Sequence, residues 1–221
     1  MTDKKALPLI HNTVVHMLQD ALERSPDAIA LRVGVGNDAT ELSYRNYASS
    51  VATLAEQLIN LGVVGERVAM VMGNTIDMAI AMFAIHAAGA QAVPVNPLYT
   101  EREIQYILSD ATPVATFYDV GVDELVTPLI DTGALIISGG TDFIAPGENV
   151  LPRPFPVADA LATLQYTGGT TGYPKGVNIT HRQMSVNISQ REAILPTEAD
   201  NESIVCVMPL FHVFAVSMCL H

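Results

Sequence analysis

The chain has 221 residues, 49% of them apolar and 15% charged, with a formal net charge of −12. Length and apolarity exclude general disorder and allow one large domain or two small ones around a real core. The acidic balance argues against nucleic acid as a partner and against an anionic membrane surface, because both reward basic patches.

The N-terminus, MTDKKALPLIHNTVVHMLQD, has two lysines but no continuous apolar run, so it does not read as a secretory leader. A first helix is expected over residues 13–24, with Thr13 as N-cap and Pro26 beyond its end. AIALRVG and TELSY read as two strands joined by a GND turn. From Ser43 the period changes. Positions 47, 51, 54, 55, 58 and 61 form one helical stripe, and Gly62 closes it.

A regular alternation follows. RVAMVM reads as a buried strand, TIDMAIAMFAIHAAG as a helix apolar on nearly every side, and AVPV as a strand. TEREIQYILSDA opens with Thr100 and Glu103 in capping-box register. VATFYD is then a strand, VDELVTPLI a helix and ALIIS a strand. This order predicts an α/β fold with a doubly wound, mostly parallel sheet carrying helices on both faces. The segment 139–156 is rich in proline and glycine and is expected to be a loop or linker. Beyond it, ALATLQYT and GVNIT read as strands flanking a glycine loop, HRQMSVNISQREAIL as a helix, and SIVCVM as a further strand. PLFHVFAVSMCLH begins another helix, and its apolar end predicts that the chain is a piece of a larger protein.

Four regions are therefore expected: 1–42 as a helix and strands packed on the larger unit, 43–138 as a βαβ subdomain, 139–160 as a linker, and 161–221 as the incomplete start of a second subdomain. Cys206 and Cys219 lack metal-like spacing and are expected to be buried, reduced thiols, so no metal ligands are assigned. The apolar run over residues 78–93 is interrupted by His86, Gly89 and Gln91 and is too short to span a bilayer. A cytoplasmic protein is the expectation.

The chemistry concentrates in LQYTGGTTGYPKGVNITHR, residues 164–182. Glycines let backbone N–H groups approach a ligand, threonines add hydroxyl donors, and one lysine adds a point charge. Together these groups cradle phosphate oxygens. The loop is not a Walker motif, because Lys175 precedes a glycine, Pro174 intervenes, and a strand follows where a helix should. No G-x-G-x-x-G is present either. A plain hairpin connection is the alternative, but hairpin loops usually need only two to five residues. The segment 161–221 carries a charge of about −1, so the acidity lies mostly in the first 160 residues.

YTGGTTGYPKG resembles the signature of the adenylate-forming (AMP-binding) enzymes, which include acyl- and aryl-CoA ligases and peptide-synthetase adenylation domains. Three other stretches resemble family segments in the same order: LSYRNYASSVATLAEQLINLGVVGERVAMVMGN, AGAQAVPVNPLYTEREIQYIL and MPLFHVFA. VNPLYT and LQYTGGTTG look most like the medium- and long-chain fatty acid–CoA ligases. The resemblance implies the N-terminal part of that fold, incomplete before its second subdomain and C-terminal lid.

It also implies that Thr167, Gly168, Gly169, Thr170, Thr171 and Gly172 wrap the β- and γ-phosphates of ATP, with Lys175 neutralising their charge. His212 would lie beside the acyl and pantetheine channel; a hydrogen-bonded histidine at a strand end is the alternative. His86 reads as a core histidine and His181 as a cap. The implied partners are ATP, Mg2+, coenzyme A and a carboxylic acid, and peripheral membrane contact stays open to a full-length protein. The implied reaction makes acyl-AMP and then acyl-CoA, with this stretch inactive alone. Alternatives are an aryl- or short-chain-acid ligase, an adenylation domain, or a short nucleotide-binding paralogue that does not catalyse.

Overall fold

In the computed structural model, which describes residues 9–130, 133–168, 174–198 and 202–221, two strands and a helix with no solvent face form the centre. Strand β3 (Arg67–Val71) pairs in parallel with β4 (Gln91–Val95), Val68 opposite Ala92 and Val71 opposite Val95. Helix α3 (Ile76–Ala87) connects them, and every one of its residues is buried. Thr75 caps it by accepting from the Met78 N–H.

Around this unit the chain winds to both sides. Helix α1 (Val14–Arg24), the ribbon β1 (Ile29–Val33) and β2 (Thr40–Ser43), and α2 (Tyr44–Asn60) come before it. Helix α4 (Glu101–Ala111), β5 (Ala115–Asp119), α5 (Asp123–Val126), β6 (Ala134–Ser138), β7 (Leu161–Thr167), β8 (Lys175–Thr180), α6 (His181–Ile194) and α7 (Val213–Ala215) follow. The main sheet has the order β6-β5-β3-β4-β7-β8, parallel except for β8, which runs antiparallel at the edge. Val68 and Met70 belong to the core shared with α1, α2 and α3, while Ala69 and Val71 belong to the one shared with α4. Helices therefore cover both faces, as the uninterrupted apolar strands require.

The local signals hold where the physics is local. Thr13 and Ser43 cap α1 and α2, and Thr100 and Glu103 close a reciprocal capping box on α4. Four expectations need correction. Leu61 falls on the α2 stripe yet is exposed, because the helix has ended and the chain turns at Gly62, where φ is +80°. The helix expected over 122–130 shrinks to α5 with a 3-10 turn on either side, since Pro128 offers no N–H to continue it. SIVCVM forms no strand: Ile204, Val205 and Val207 are exposed, and β-propensity has no effect without a neighbouring strand to pair with. Cys206 and Cys219 are unbridged, but half-buried rather than buried.

The segment 139–160 contains no helix or strand, yet it is pinned down. Buried Asp77 accepts from the Ser138 hydroxyl at 2.8 Å and from the N–H groups of Asp142 and Phe143 at 2.8 and 2.9 Å. Phe143 packs edge-on against Phe117, Leu151 is buried, and the Ala145 N–H donates to Ser50. β7, which follows the segment, joins the same sheet beside β4. Among the described residues no helix is long and apolar enough to cross a membrane.

Replacing Asp77 with alanine orphans the buried Ser138 hydroxyl and removes the acceptor of two part-buried N–H groups, so Asp77→Ala should cost about 2–3 kcal/mol. Asp77→Asn, which keeps one acceptor oxygen, should cost less. Urea denaturation followed by circular dichroism checks both, and a loss below about 1 kcal/mol for Asp77→Ala would refute the anchoring role.

Candidate functional site

Strand β7 is buried from Ala162 to Tyr166 and emerges at Thr167 and Gly168. It pairs with β8 as far as Thr167 opposite Lys175, where the Thr167 hydroxyl donates to the Lys175 carbonyl at 3.4 Å. The glycine loop thus hangs from the last pair of an ordered hairpin. Gly169, Thr170, Thr171 and Gly172 lie outside the described residues. A side chain at Gly168 would meet nothing within 4 Å among the described residues. Lys175 is exposed, and no carboxylate pairs with it among the described residues.

Gly176 has a different task. A Cβ there would lie 2.9 Å from Leu164 and 3.3 Å from the Tyr166 ring, directly across the hairpin. The glycine leaves room for that ring against β8. The Tyr166 hydroxyl donates to Asp110 of α4 at 2.5 Å, and burial, then Asp110, pushes its pKa well up. The tyrosine therefore stays a neutral donor and ties α4 to the strand that delivers the loop.

The cleft in front of the loop sits at a topological switch point. From β4 the chain leaves through α4 toward β5, while from its neighbour β7 it leaves the other way, to β8. Between the carboxyl ends of two such strands a crevice opens, the usual ligand position in an open α/β sheet. Asn96 and Tyr99 line it from the β4 side, Thr167 and Gly168 from the β7 side, and Phe211 and His212 from above. His212 therefore shares a cleft with Thr167 and Gly168. It also caps α7, its Nδ1 accepting from the Phe214 N–H at 3.2 Å. Asn74, after β3, holds this upper wall by donating to the Met208 carbonyl at 2.8 Å and accepting from the Leu210 N–H at 2.7 Å.

A second cavity, of about 200 Å³, lies behind the first between α3, β7, β8, α6 and α7. The two share Pro94, Gln165 and Val213 as a common wall. Gln165 is fixed there by its donation to the Phe211 carbonyl at 3.2 Å. Reading from sequence did not single out Asn96, Tyr99, Gln165 or Tyr166. Their signal is adjacency, since each follows or ends a strand whose carboxyl end was already expected.

Three histidines cluster where His221, half-buried, lines the second cavity; His86 and His181 are fully buried. The His86 ring is 5.3 Å from His181 and 6.4 Å from His221. His86 Nε2 donates to the Ala162 carbonyl at 3.1 Å. His86 Nδ1, both nitrogens of His181 and Nε2 of His221 have no partner among the described residues. His181 does not cap α6. Thr180 does, in a capping box with Gln183, and His181 is the buried residue after it. Burial, then His16, lowers His181 to about 4; burial, then Arg191 and His181, lowers His221 to about 3; burial, then His181 and His221, lowers His86 well below its ordinary value.

One model, that of the AMP-binding enzyme, matches residues 18–221. The chain belongs to the AMP-binding enzyme family. Over 248 aligned residues it is 28% identical to the long-chain-fatty-acid–CoA ligase of Salmonella typhimurium, covering 94% of this chain and 44% of that protein. It is 34% identical over 190 residues to the isonitrile lipopeptide synthase of Mycobacterium tuberculosis, covering 83% of this chain and 7% of that one. The chain thus spans less than half the length of these relatives. Among solved structures, the N-terminal domain of FACL13 from Mycobacterium tuberculosis superposes with a TM-score of 0.84 at 23% identity, over 95% of this chain and 54% of the other. ATP-bound MatB from Rhodopseudomonas palustris superposes with a TM-score of 0.80 at 23% identity, over 94% and 42%. At these identities the superpositions establish the fold, α/β with a mostly parallel central sheet.

The histidines set an acid limit on this fold. Their folded pKa values lie below 6.5, so the unfolded chain binds more protons as pH falls through that value. Stability from the cluster is complete above about pH 6.5 and is lost as pH falls toward 4. For His181 the loss amounts to roughly 3 kcal/mol. Urea midpoints measured from neutral to mildly acid pH should fall, and fall less steeply in His86→Leu. A flat profile would contradict the buried, neutral cluster.

Proposed function

We propose that this chain is the N-terminal part of a cytoplasmic enzyme that activates a carboxylic acid with ATP, first to acyl-AMP and then to acyl-CoA. The observation that carries the reading is the pair of abutting cavities at the switch point. One is faced by the glycine-loop hairpin, and the other presents a mainly apolar surface, with polar side chains such as Thr163 and Asn187 among its walls. An acid seated in the second, with its carboxylate past Gln165, would meet a nucleotide phosphate seated in the first. The fatty acid class is supported by the relatives named long-chain-fatty-acid–CoA ligase.

In this reading Thr167, Gly168, Gly169, Thr170, Thr171 and Gly172 donate to the β- and γ-phosphate oxygens, and Lys175 neutralises them. A carboxylate oxygen forms a bond to the α-phosphorus as the bond to the pyrophosphate oxygen breaks. Negative charge grows on the leaving group, where fixed donors and a cation lower the barrier. In the second step the thiolate of coenzyme A attacks the acyl carbon and AMP departs. His212, on the wall of the first cavity, would border the path of the pantetheine thiol. Among the described residues no group of three His, Cys, Asp or Glu side chains is arranged to hold a metal, so Mg2+ is assigned no protein ligand here.

Titration of the 221-residue chain with MgATP should show binding, and Lys175→Ala should weaken it about tenfold, the worth of one charge-assisted contact. An unchanged curve would remove Lys175 from the phosphate site. The same chain, less than half the length of its relatives, should release no pyrophosphate from MgATP in the presence of octanoate; measurable release would show that this part suffices for the first step.

A further inference from the structure

Strand β8 is exposed along most of its length and lies at the sheet edge, yet its first residue, Lys175, is the cation proposed to meet the phosphates. Two lines of contact hold this strand, and both end in the last turn of α4. In the first, the Tyr166 ring lies against Gly176 across the hairpin, and the Tyr166 hydroxyl donates to Asp110 at 2.5 Å. In the second, Asn178 accepts from the buried Gln91 amide at 2.8 Å. Gln91 in turn accepts from Arg67 Nε at 3.2 Å, and Arg67 Nη1 donates to the Ala111 carbonyl at 3.0 Å. Neighbouring residues of one helix therefore hold β8 at Gly176 and at Asn178, directly behind Lys175.

The two lines differ in what they control. The bond from Gln91 to Asn178 sets the middle of β8. Tyr166 pairs with Gly176, next to Lys175, and is the last buried residue of β7 before Thr167. A shift of its ring therefore reaches both members of the Thr167–Lys175 pair. Packing alone lets an aromatic ring tilt, whereas a hydroxyl bonded to a carboxylate fixes the ring's far end, because such bonds are the stronger and more directional ones. Tyr166 also lines the first cavity. Asp110 is exposed and lines neither cavity, so apart from the reach of its charge it acts on a ligand through Tyr166.

We propose that Asp110 is a positioning residue for the phosphate site: by holding the Tyr166 hydroxyl it fixes the hairpin end from which Thr167 and Lys175 are presented. The proposal rests on the reading that this hairpin binds nucleotide phosphates. It has a sign opposite to that of charge alone. Removing a carboxylate from a protein of net charge −12 should, through the field, tighten the binding of an anion. Removing a positioning contact should loosen it.

The test is calorimetric titration of the 221-residue chain with MgATP, beside hydrogen exchange of the β8 amides followed by NMR without ligand. Asp110→Leu should bind MgATP about threefold more weakly, and Tyr166→Phe, which removes one hydroxyl, should show the same loss. The double variant should be no weaker than either single one, because both cut the same bond. Asp110→Asn loses the charge but keeps an acceptor oxygen, and should stay within about twofold of the unaltered chain. In Asp110→Leu the β8 amides should exchange faster by more than the change in urea stability accounts for. Equal or tighter binding by Asp110→Leu, additive losses in the double variant, a loss in Asp110→Asn as large as in Asp110→Leu, or unchanged β8 exchange overturns the proposal. Circular dichroism shows whether the variants fold; if Asp110→Leu does not, Tyr166→Phe and Asp110→Asn decide. An unaltered chain that binds no MgATP overturns the nucleotide reading. Faster β8 exchange in Asp110→Leu would then still support the tie from Asp110, and unchanged exchange would overturn it.

Discussion

Helix α3 has no solvent face, so each polar group it carries must be satisfied by another part of the chain, and those parts are thereby located. Asp77 in its first turn takes the Ser138 hydroxyl and two N–H groups of the proline-rich segment. The Ala79 carbonyl receives the Tyr47 hydroxyl at 2.9 Å, which fixes α2 against it. His86 in its last turn reaches across to the Ala162 carbonyl at the start of β7. One buried helix therefore anchors the strap, the neighbouring helix and the strand that delivers the glycine loop. The apolar side chains supply the driving force, but these three polar contacts decide which segments dock and where.

From β7 outward the same logic fixes the cleft. β8 is an edge strand with largely exposed residues, and an edge strand contributes little order by itself. What steadies it is the contact of Tyr166 with Gly176 across the hairpin and the bond from Tyr166 to Asp110 on α4. The first residue of β8 is Lys175, so the position of the cation depends on a tyrosine that need not touch a ligand. Opposite, Gln165 and Asn74 hold the backbone of residues 208–211, which brings His212 to the same opening. The wall that carries His212 is thus held by side chains whose partners are backbone carbonyls and N–H groups, a rigid way to build it.

Much of this was legible in the sequence, for reasons that differ from place to place. The capping box of Thr100 and Glu103 is contained within four residues, and α3 announces itself by being apolar all round. The parallel sheet follows from strand–helix alternation. Signals that depend on a partner elsewhere fared worse. SIVCVM has strand composition but pairs with no strand, and the cap expected at His181 is supplied one position earlier by Thr180. Thr167, Gly168 and Lys175 were marked by their motif, and the fold brings them to one end of one hairpin. His221 carried no local mark at all, since the rings it packs against, Phe83 and His86 of α3, meet it only in three dimensions.

Electrostatics singles out Lys175 as the cation without a carboxylate partner among the described residues at this end of the chain. A protein with a net charge of −12 repels a polyphosphate unless a local cation offsets the field. The segment 161–221 contains three basic residues, Lys175, Arg182 and Arg191. Arg182 is held by both oxygens of Asp159, at 2.6 and 3.1 Å, and Arg191 is paired with Glu192 at 3.1 Å and bonded to the carbonyls of Ser217 and His221. Both guanidinium groups are committed to holding α6 to its neighbours. Lys175 stands at the mouth of the hairpin, exposed and without a carboxylate partner among the described residues. A cation with no carboxylate partner among the described residues, next in sequence to a loop of small and hydroxylated residues, keeps its charge free for the anion that the proposed function assigns to it.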